Sequence, residues 1–146
     1  MSQIANILLV DDSPEDVDLT REALESTKIA NNLAVVYDGV EALAYLRKQG
    51  KYADVSRPSL ILLDLNMPKK DGRQVLDEIK HDPNLKDIPV VILTTSRDEE
   101  DILKAYKLHA NCYVKKPVNM SEFMKVVKSI DHFWFAIVEL PSHNET

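Results

Sequence analysis

The chain has 146 residues, of which 45% are hydrophobic and 29% charged, a composition typical of one soluble globular domain with a sizeable core. Its formal net charge of −6 argues against a nucleic-acid partner, because an acidic protein repels a phosphate backbone. The sequence also lacks a membrane-spanning apolar run and a signal-peptide pattern, and its single cysteine excludes an internal disulfide, so we expect a cytoplasmic protein.

The N-terminal region shows how the chain is organised. Ile4–Val10 is a short apolar run that ends abruptly in Asp11 and Asp12, as a buried parallel strand does at its carboxyl end. Ser13 is a suitable helix cap, and Pro14 fits the first turn of a helix. The pattern predicts one strand followed by one helix.

The same alternation continues along the chain. Four further strands are predicted over Leu33–Tyr37, Leu60–Leu63, Ile88–Leu93 and Cys112–Val114. The later helices have predicted apolar faces at Val40, Leu43 and Leu46; at Val75, Leu76 and Ile79; at Ile102, Leu103, Tyr106 and Leu108; and at Phe123, Val126, Val127 and Ile130. Gly50 is the predicted stop of the second helix. Five strand-then-helix units predict an α/β fold, a doubly wound parallel sheet with helices on both faces.

Polar side chains follow four of the predicted strands. They are Asp11 and Asp12, Asp64, Thr94 and Lys116. In doubly wound sheets the functional crevice lies at the carboxyl ends of the strands, so we expect these five residues to converge on one edge.

This set of residues suits phosphoryl transfer. Clustered carboxylates repel one another and need a cation, a shared proton or a lysine, and oxygen ligands favour a hard ion such as Mg²⁺. With a metal bound, Asp64 becomes a usable nucleophile towards phosphorus. Lys116 would supply a positive charge and Thr94 a hydroxyl donor to the phosphoryl oxygens.

Each residue also has an ordinary structural interpretation. Asp11 and Asp12 are acids of the kind that helix N-termini attract, and Asp64 is a residue type that caps turns. Thr94 fits a strand end as a β-branched residue, and Lys116 precedes a proline in a surface turn. Only their joint placement at strand ends favours a shared site.

Four segments, LLVDDS, LILLDLNMPKKDG, VVILTT and CYVKKP, resemble response-regulator receiver domains of the CheY-like type in both order and spacing. The resemblance covers Ile4–Ile130 and implies a flavodoxin-like sheet of order 2-1-3-4-5. It implies that Asp64 accepts a phosphoryl group from a histidine kinase. Asp12, Asp64 and the backbone carbonyl of Asn66 would bind Mg²⁺, or Mn²⁺ as a substitute, with Asp11 in support. Thr94 and Lys116 would contact the phosphoryl group, and Tyr113 matches the aromatic switch residue.

More narrowly, the sequence resembles the small regulators that partner bacterial phytochrome kinases. The features that indicate this are the QGKYADVSRP connection, the LHANCY stretch and the FW-then-LP ending. One departure from the family is Thr95, where receiver domains usually have a smaller residue beside the phosphorylation pocket. A bulkier side chain there predicts slow hydrolysis of the phosphoryl group.

The chain is interpreted as one receiver domain over residues 1–146, in which residues 131–146 extend the last helix. No residues remain for an output domain, so the signal would leave through a protein-interaction surface. Around Phe133, Trp134 and Phe135 the tail is apolar on more than one helical face. Such a patch predicts either a homodimer contact or a tail folded back on its own core.

Two other functions compete with a phosphoacceptor switch. A haloacid-dehalogenase-type phosphatase also forms an aspartyl phosphate, but it needs a second Asp where this chain has Asn66. A pseudo-receiver is an interaction module that has typically lost the acids or the lysine, and all of them are present here. We therefore expect a switch that is not an enzyme.

Overall fold

The computed structural model describes residues 5–25, 31–65, 72–94 and 112–115, together with Ser121 and Lys125. Its strands are β1 (Ala5–Val10), β2 (Asn31–Val36), β3 (Leu60–Asp64), β4 (Val90–Thr94) and β5 (Cys112–Lys115). Its helices are α1 (Pro14–Glu25), α2 (Gly39–Leu46) and α3 (Gly72–His81), with a short 3₁₀ turn at Gly50–Tyr52. All strand pairs are parallel and the sheet order is β2-β1-β3-β4-β5, which confirms the predicted order.

The most apolar run of the sequence forms the central strand, β3. β3 pairs with β1 on one side and β4 on the other, and all five of its residues are buried. A strand covered on both faces reads as a continuous apolar run, because no face of it reaches solvent. Only its last residue, Asp64, is charged.

Helices cover both faces of this sheet, as predicted. On one face, Val17 and Leu24 of α1 lie in a core cluster with Leu9 and Leu62. On the other, residues from α2 and α3 join the alternate strand residues: Leu43, Leu46, Val75, Leu76 and Ile79 pack with Leu8, Val10 and Leu63. Successive strand residues point to opposite faces, and this alternation separates the two clusters.

Two details of α2 differ from the prediction. Val40 is 53% exposed, and the buried face of the helix is formed by Gly39, Ala42, Leu43 and Leu46. Oδ1 of Asp38 accepts the N–H of Glu41 at 2.8 Å, which caps the helix at its start, and the buried face is the one that packs into the core cluster through Ala42, Leu43 and Leu46.

Gly50 is also not the stop of α2. The helix ends at Leu46, the left-handed backbone conformation is taken by Lys48 at φ 55°, and Gly50 (φ 58°) begins the following 3₁₀ turn. The predicted cap of α1 is confirmed, since the N–H of Asp16 donates to Oγ of Ser13 at 3.3 Å.

Several predictions lie outside the described residues. They are the fourth helix, nearly all of the last helix and its extension over residues 131–146. Ser121 and Lys125 are helical and exposed, in the region where the last helix is predicted. No helix within the described ranges is long and apolar enough to cross a membrane.

Candidate metal centre

Strand register brings the predicted acids together. Val10 of β1 pairs with Leu63 of β3, so the residues that follow them, Asp11 and Asp64, lie at the same level of the sheet's carboxyl edge. One carboxylate oxygen from each of Asp11, Asp12 and Asp64 lies within 4.8 Å of the other two. The expected convergence at the carboxyl edge is therefore confirmed for these three side chains.

The three carboxylates differ in their exposure. Asp11 is fully buried, Asp64 is 5% exposed, and Asp12 is exposed. Asp64 comes two residues after Leu62 in the same strand, which puts it on the face of the sheet that α1 covers. The cluster thus has a buried floor and one acid open to solvent.

Asp11 is fixed to the start of α1 by local hydrogen bonds. Its Oδ1 accepts the N–H of Ser13 at 3.0 Å, and its own N–H donates to the carbonyl oxygen of Val36 at 3.1 Å. Ser13 in turn caps the helix, and its carbonyl oxygen accepts the N–H of Val17 at 2.9 Å. The position of this carboxylate is therefore set by β2 and α1 together.

The donor set fits a hard divalent cation. Two unit charges about 4 Å apart repel by roughly 4 kcal/mol at an effective dielectric near 20, so three carboxylates this close favour a bound cation. Carboxylate oxygens are the ligands that Mg²⁺ takes in proteins, and Mg²⁺ usually keeps several waters, which the exposed side of Asp12 leaves room for. The cluster therefore fits a divalent metal site of the kind typical of receiver domains.

The remaining predicted site residues are described in part or not at all. Thr94 is the last residue of β4 and directly follows Leu93, the ladder partner of Asp64, so its backbone lies at the same edge. Tyr113 pairs with Ile92 in the β4–β5 ladder. The other members lie outside the described residues: Asn66, Thr95, Lys116, Phe133, Trp134 and Phe135.

Sequence reasoning missed one residue that touches the site. Gly72 begins α3, and a Cβ atom there would lie 2.2 Å from the carbonyl oxygen of Asp64. Asp71 and Gly72 end the LILLDLNMPKKDG segment that carries the resemblance, but nothing in the local pattern shows which strand the next helix meets.

Comparison with known proteins identifies a family and similar proteins. A family model for the response regulator receiver domain matches residues 7–128. The response regulator Rcp1 of Synechocystis sp. is 51% identical over 136 residues, which are 93% of this chain and 92% of that protein.

Solved structures of similar proteins also match. The phosphorylated cyanobacterial phytochrome response regulator RcpA superposes with a TM-score of 0.77 at 52% identity, covering 92% of this chain and 96% of that one. The Mn²⁺-bound form of Rcp1 gives 0.75 at 51%, covering 89% and 94%. The bacteriophytochrome response regulator AtBRR gives 0.82 at 42%, covering 94% and 99%.

Proposed function

The chain belongs to the response regulator receiver family and is a phosphoacceptor of a two-component system, and we propose that Asp64 is the residue that takes the phosphoryl group. The observation that carries this proposal is the carboxylate cluster at the carboxyl edge of the sheet. Asp64 is its member on the central strand, and 5% of this residue is exposed.

In this reaction the protein must position the reacting groups and neutralise negative charge. An oxygen of Asp64 forms the bond to phosphorus as the bond from phosphorus to the donor atom breaks, and the donor keeps that electron pair. Asp12, Asp64 and the backbone carbonyl of Asn66 would hold Mg²⁺, or Mn²⁺ in its place, with Asp11 in support. The ion neutralises charge on the phosphoryl oxygens when bound.

Two further residues complete the proposed site. The ammonium group of Lys116 and the hydroxyl group of Thr94 would contact the phosphoryl oxygens. Thr94 ends β4, and Tyr113 lies in the adjacent strand β5 opposite Ile92. We take Thr94 and Tyr113 as the switch pair, because β4 pairs with β5. A conformational change at the end of β4 can therefore be transmitted to the strand that contains Tyr113.

Intact-mass measurement tests the acceptor. Incubation with acetyl phosphate and Mg²⁺ should add the mass of one phosphoryl group, and Asp64→Asn should abolish the adduct. Asp18→Asn is the matched control, because it removes an exposed carboxylate from the surface of α1. Equal labelling of the Asp64→Asn chain would refute Asp64 as the acceptor.

A parallel incubation with a phosphate ester and Mg²⁺ separates a switch from a phosphatase. A haloacid-dehalogenase-type enzyme needs a general acid two residues after its nucleophile, and Asn66 occupies that position. We therefore propose a switch that keeps its phosphoryl group and is not an enzyme. Sustained release of phosphate from phosphate esters would contradict this, whereas a stable adduct supports it.

The proposed donor is a histidine kinase of phytochrome type. The support is the likeness to RcpA and AtBRR, which are named as phytochrome and bacteriophytochrome response regulators. A cytoplasmic site of action belongs to this proposal, because the single cysteine is consistent with a reducing compartment. Phosphotransfer from a panel of histidine kinases tests it; a phytochrome kinase no faster than the rest would refute the pairing.

We also propose that residues 1–146 form one receiver domain that dimerises through the apolar tail. Phe133, Trp134 and Phe135 are the proposed contacts, in the extension over residues 131–146. Sedimentation of the full chain beside a chain cut after Ile130 tests this. A full chain that is as monomeric as the shortened one would end the dimer proposal.

A further inference from the structure

Gly72, the first residue of α3, lies against the backbone of the proposed acceptor strand. A Cβ atom added to Gly72 would meet the carbonyl oxygen of Asp64 at 2.2 Å and Cα of Leu65 at 2.7 Å, although real Cβ contacts essentially never fall below 3.0 Å. Both obstacles are backbone atoms, which cannot rotate aside as the end of a flexible side chain can. Only glycine therefore fits at this position.

Gly72 also holds the end of β3 by a hydrogen bond. Its N–H donates to the carbonyl oxygen of Leu65 at 2.9 Å, an ordinary length for such a bond. On the other side, the N–H of Leu65 donates to the carbonyl oxygen of Leu93 at 3.4 Å, which is long. The end of β3 is thus attached to α3 by the shorter of these two hydrogen bonds.

Neither element can easily move to make room for a methyl group. Asp64 and Leu65 are buried, and β3 is enclosed between β1 and β4. The buried face of α3 is anchored in the core by Val75, Leu76 and Ile79. The displacement would therefore be taken up where the two elements meet, at the first turn of α3 and at the Asp64–Leu65 peptide, which carries the acceptor side chain.

We infer that Gly72 is a positioning residue for Asp64. The close approach of α3 fixes the Asp64 carboxylate where one of its oxygens lies within 4.8 Å of an oxygen of Asp11 and one of Asp12. The inference rests on the proposed function, in which Asp64 is both acceptor and metal ligand. A misplacement on the order of 1 Å can lower a rate about 100-fold, and changes to groups that orient a metal ligand weaken metal binding about 10- to 100-fold.

The test compares Gly72→Ala with Gly50→Ala in the full chain. Gly50 has φ 58° and nothing within 4 Å of an added Cβ, so alanine strains the backbone there without reaching the site. Both variants should unfold at a lower urea concentration than wild type. Only Gly72→Ala should also weaken Mn²⁺ binding, measured by calorimetry, and slow phosphorylation by acetyl phosphate, each about 10-fold or more.

The outcomes separate this inference from the proposed function. Mn²⁺ affinity and phosphorylation of Gly72→Ala equal to wild type would show that Gly72 is only structural. A wild-type chain that binds Mn²⁺ but accepts no phosphate would refute the proposed function, while the Mn²⁺ titration would still report on Gly72.

A second measurement needs no variant, in case Gly72→Ala does not fold. Because coupling between two sites is reciprocal, saturating Mg²⁺ should slow hydrogen exchange at the N–H of Gly72. The N–H of Ile88, which donates to Leu85 in a turn before β4, is the reference. Equal slowing of the two amides would overturn the inference, and selective slowing at Gly72 supports it.

Discussion

The N–H of Ser13 donates to Oδ1 of Asp11 at 3.0 Å, which joins the buried carboxylate of the metal centre to the start of α1. The donor is the backbone of Ser13, while its side-chain Oγ accepts the N–H of Asp16 at 3.3 Å. One residue therefore has two separable roles. Its backbone orients Asp11, and its hydroxyl group caps the helix.

This division predicts the effect of Ser13→Ala. The substitution removes the cap and should lower the free energy of unfolding by about 1 kcal/mol. It keeps the backbone N–H, so Mg²⁺ affinity should stay close to that of wild type. Asp11→Ala should lose Mg²⁺ affinity, because it removes a carboxylate of the cluster. Urea denaturation and metal titration measure the two effects; a large loss of affinity in Ser13→Ala would refute the separation.

Mg²⁺ should stabilise the folded chain through the carboxylate cluster. At a concentration 100 times its dissociation constant, a ligand of the folded state adds about 2.7 kcal/mol to the free energy of unfolding. Asp64→Asn should gain much less from Mg²⁺ but be more stable than wild type without it, because one repelling charge is removed. Thermal melts with and without Mg²⁺ measure this, with Asp18→Asn as the control. The same Mg²⁺ gain in Asp64→Asn would contradict the metal site.

The carboxylate cluster could be predicted from sequence because the order and direction of the strands determine where its residues lie. Asp11 and Asp64 each follow an apolar run, and the carboxyl ends of parallel strands share one edge. The rotation of α2 could not be predicted as reliably. Residues three and four apart admit more than one buried face, and the packing against the sheet that decides between them involves residues far apart in the sequence.

The role of Gly72 could not be predicted from the sequence, for a different reason. Its role depends on how closely α3 approaches the end of β3, a contact between two elements that leaves no periodic signal in either of them. The DG dipeptide predicts a turn, and a turn is compatible with many docking positions of the next helix. Local pattern thus located the acids but not the backbone contact that places one of them.

Arg47 connects the end of α2 to α3. Its Nη1 lies 3.5 Å from Oε1 of Glu78, and its Nε lies 3.5 Å from Oδ2 of Asp82. Because these side chains are partly exposed, Arg47→Met should lower the free energy of unfolding by only about 0.5 to 1 kcal/mol, and added salt should reduce the difference. Lys86→Met, at an exposed residue of the following turn, is the control. A loss that salt leaves unchanged would indicate packing as the cause.

Stability at alkaline pH should depend on Tyr52. Burial, followed by the negative charge of Glu41, raises the pKa of the Tyr52 phenol above its ordinary value of 10.0, while Lys51 partly opposes the shift. Above pH 10.0 the unfolded chain has released this proton and the folded chain has kept it, so the free energy of unfolding falls as pH rises. Tyr52→Phe should reduce that fall.

Urea midpoints between about pH 9 and about pH 11 measure the slope. The ring of Tyr52 lies 5.2 Å from that of Tyr45, and phenylalanine keeps this contact, so packing changes little. Tyr37→Phe, at an exposed ring, is the matched control. If the urea midpoint of Tyr52→Phe falls with pH as steeply as that of wild type, the titration of Tyr52 does not govern alkaline stability.

The lifetime of the aspartyl phosphate should depend on Thr95. Asp64 is 5% exposed, and Thr95 follows directly after the strand end at Thr94. Receiver domains usually have a smaller residue at this position, and Thr95→Ala should therefore speed loss of the phosphoryl group several-fold. The measurement is the decay of the phosphorylated mass after acetyl phosphate is removed, with Mg²⁺ kept constant. Thr95→Ser, which keeps a hydroxyl group but removes the methyl group, should fall between wild type and Thr95→Ala. An unchanged half-life in both variants would show that the bulk of Thr95 does not limit hydrolysis.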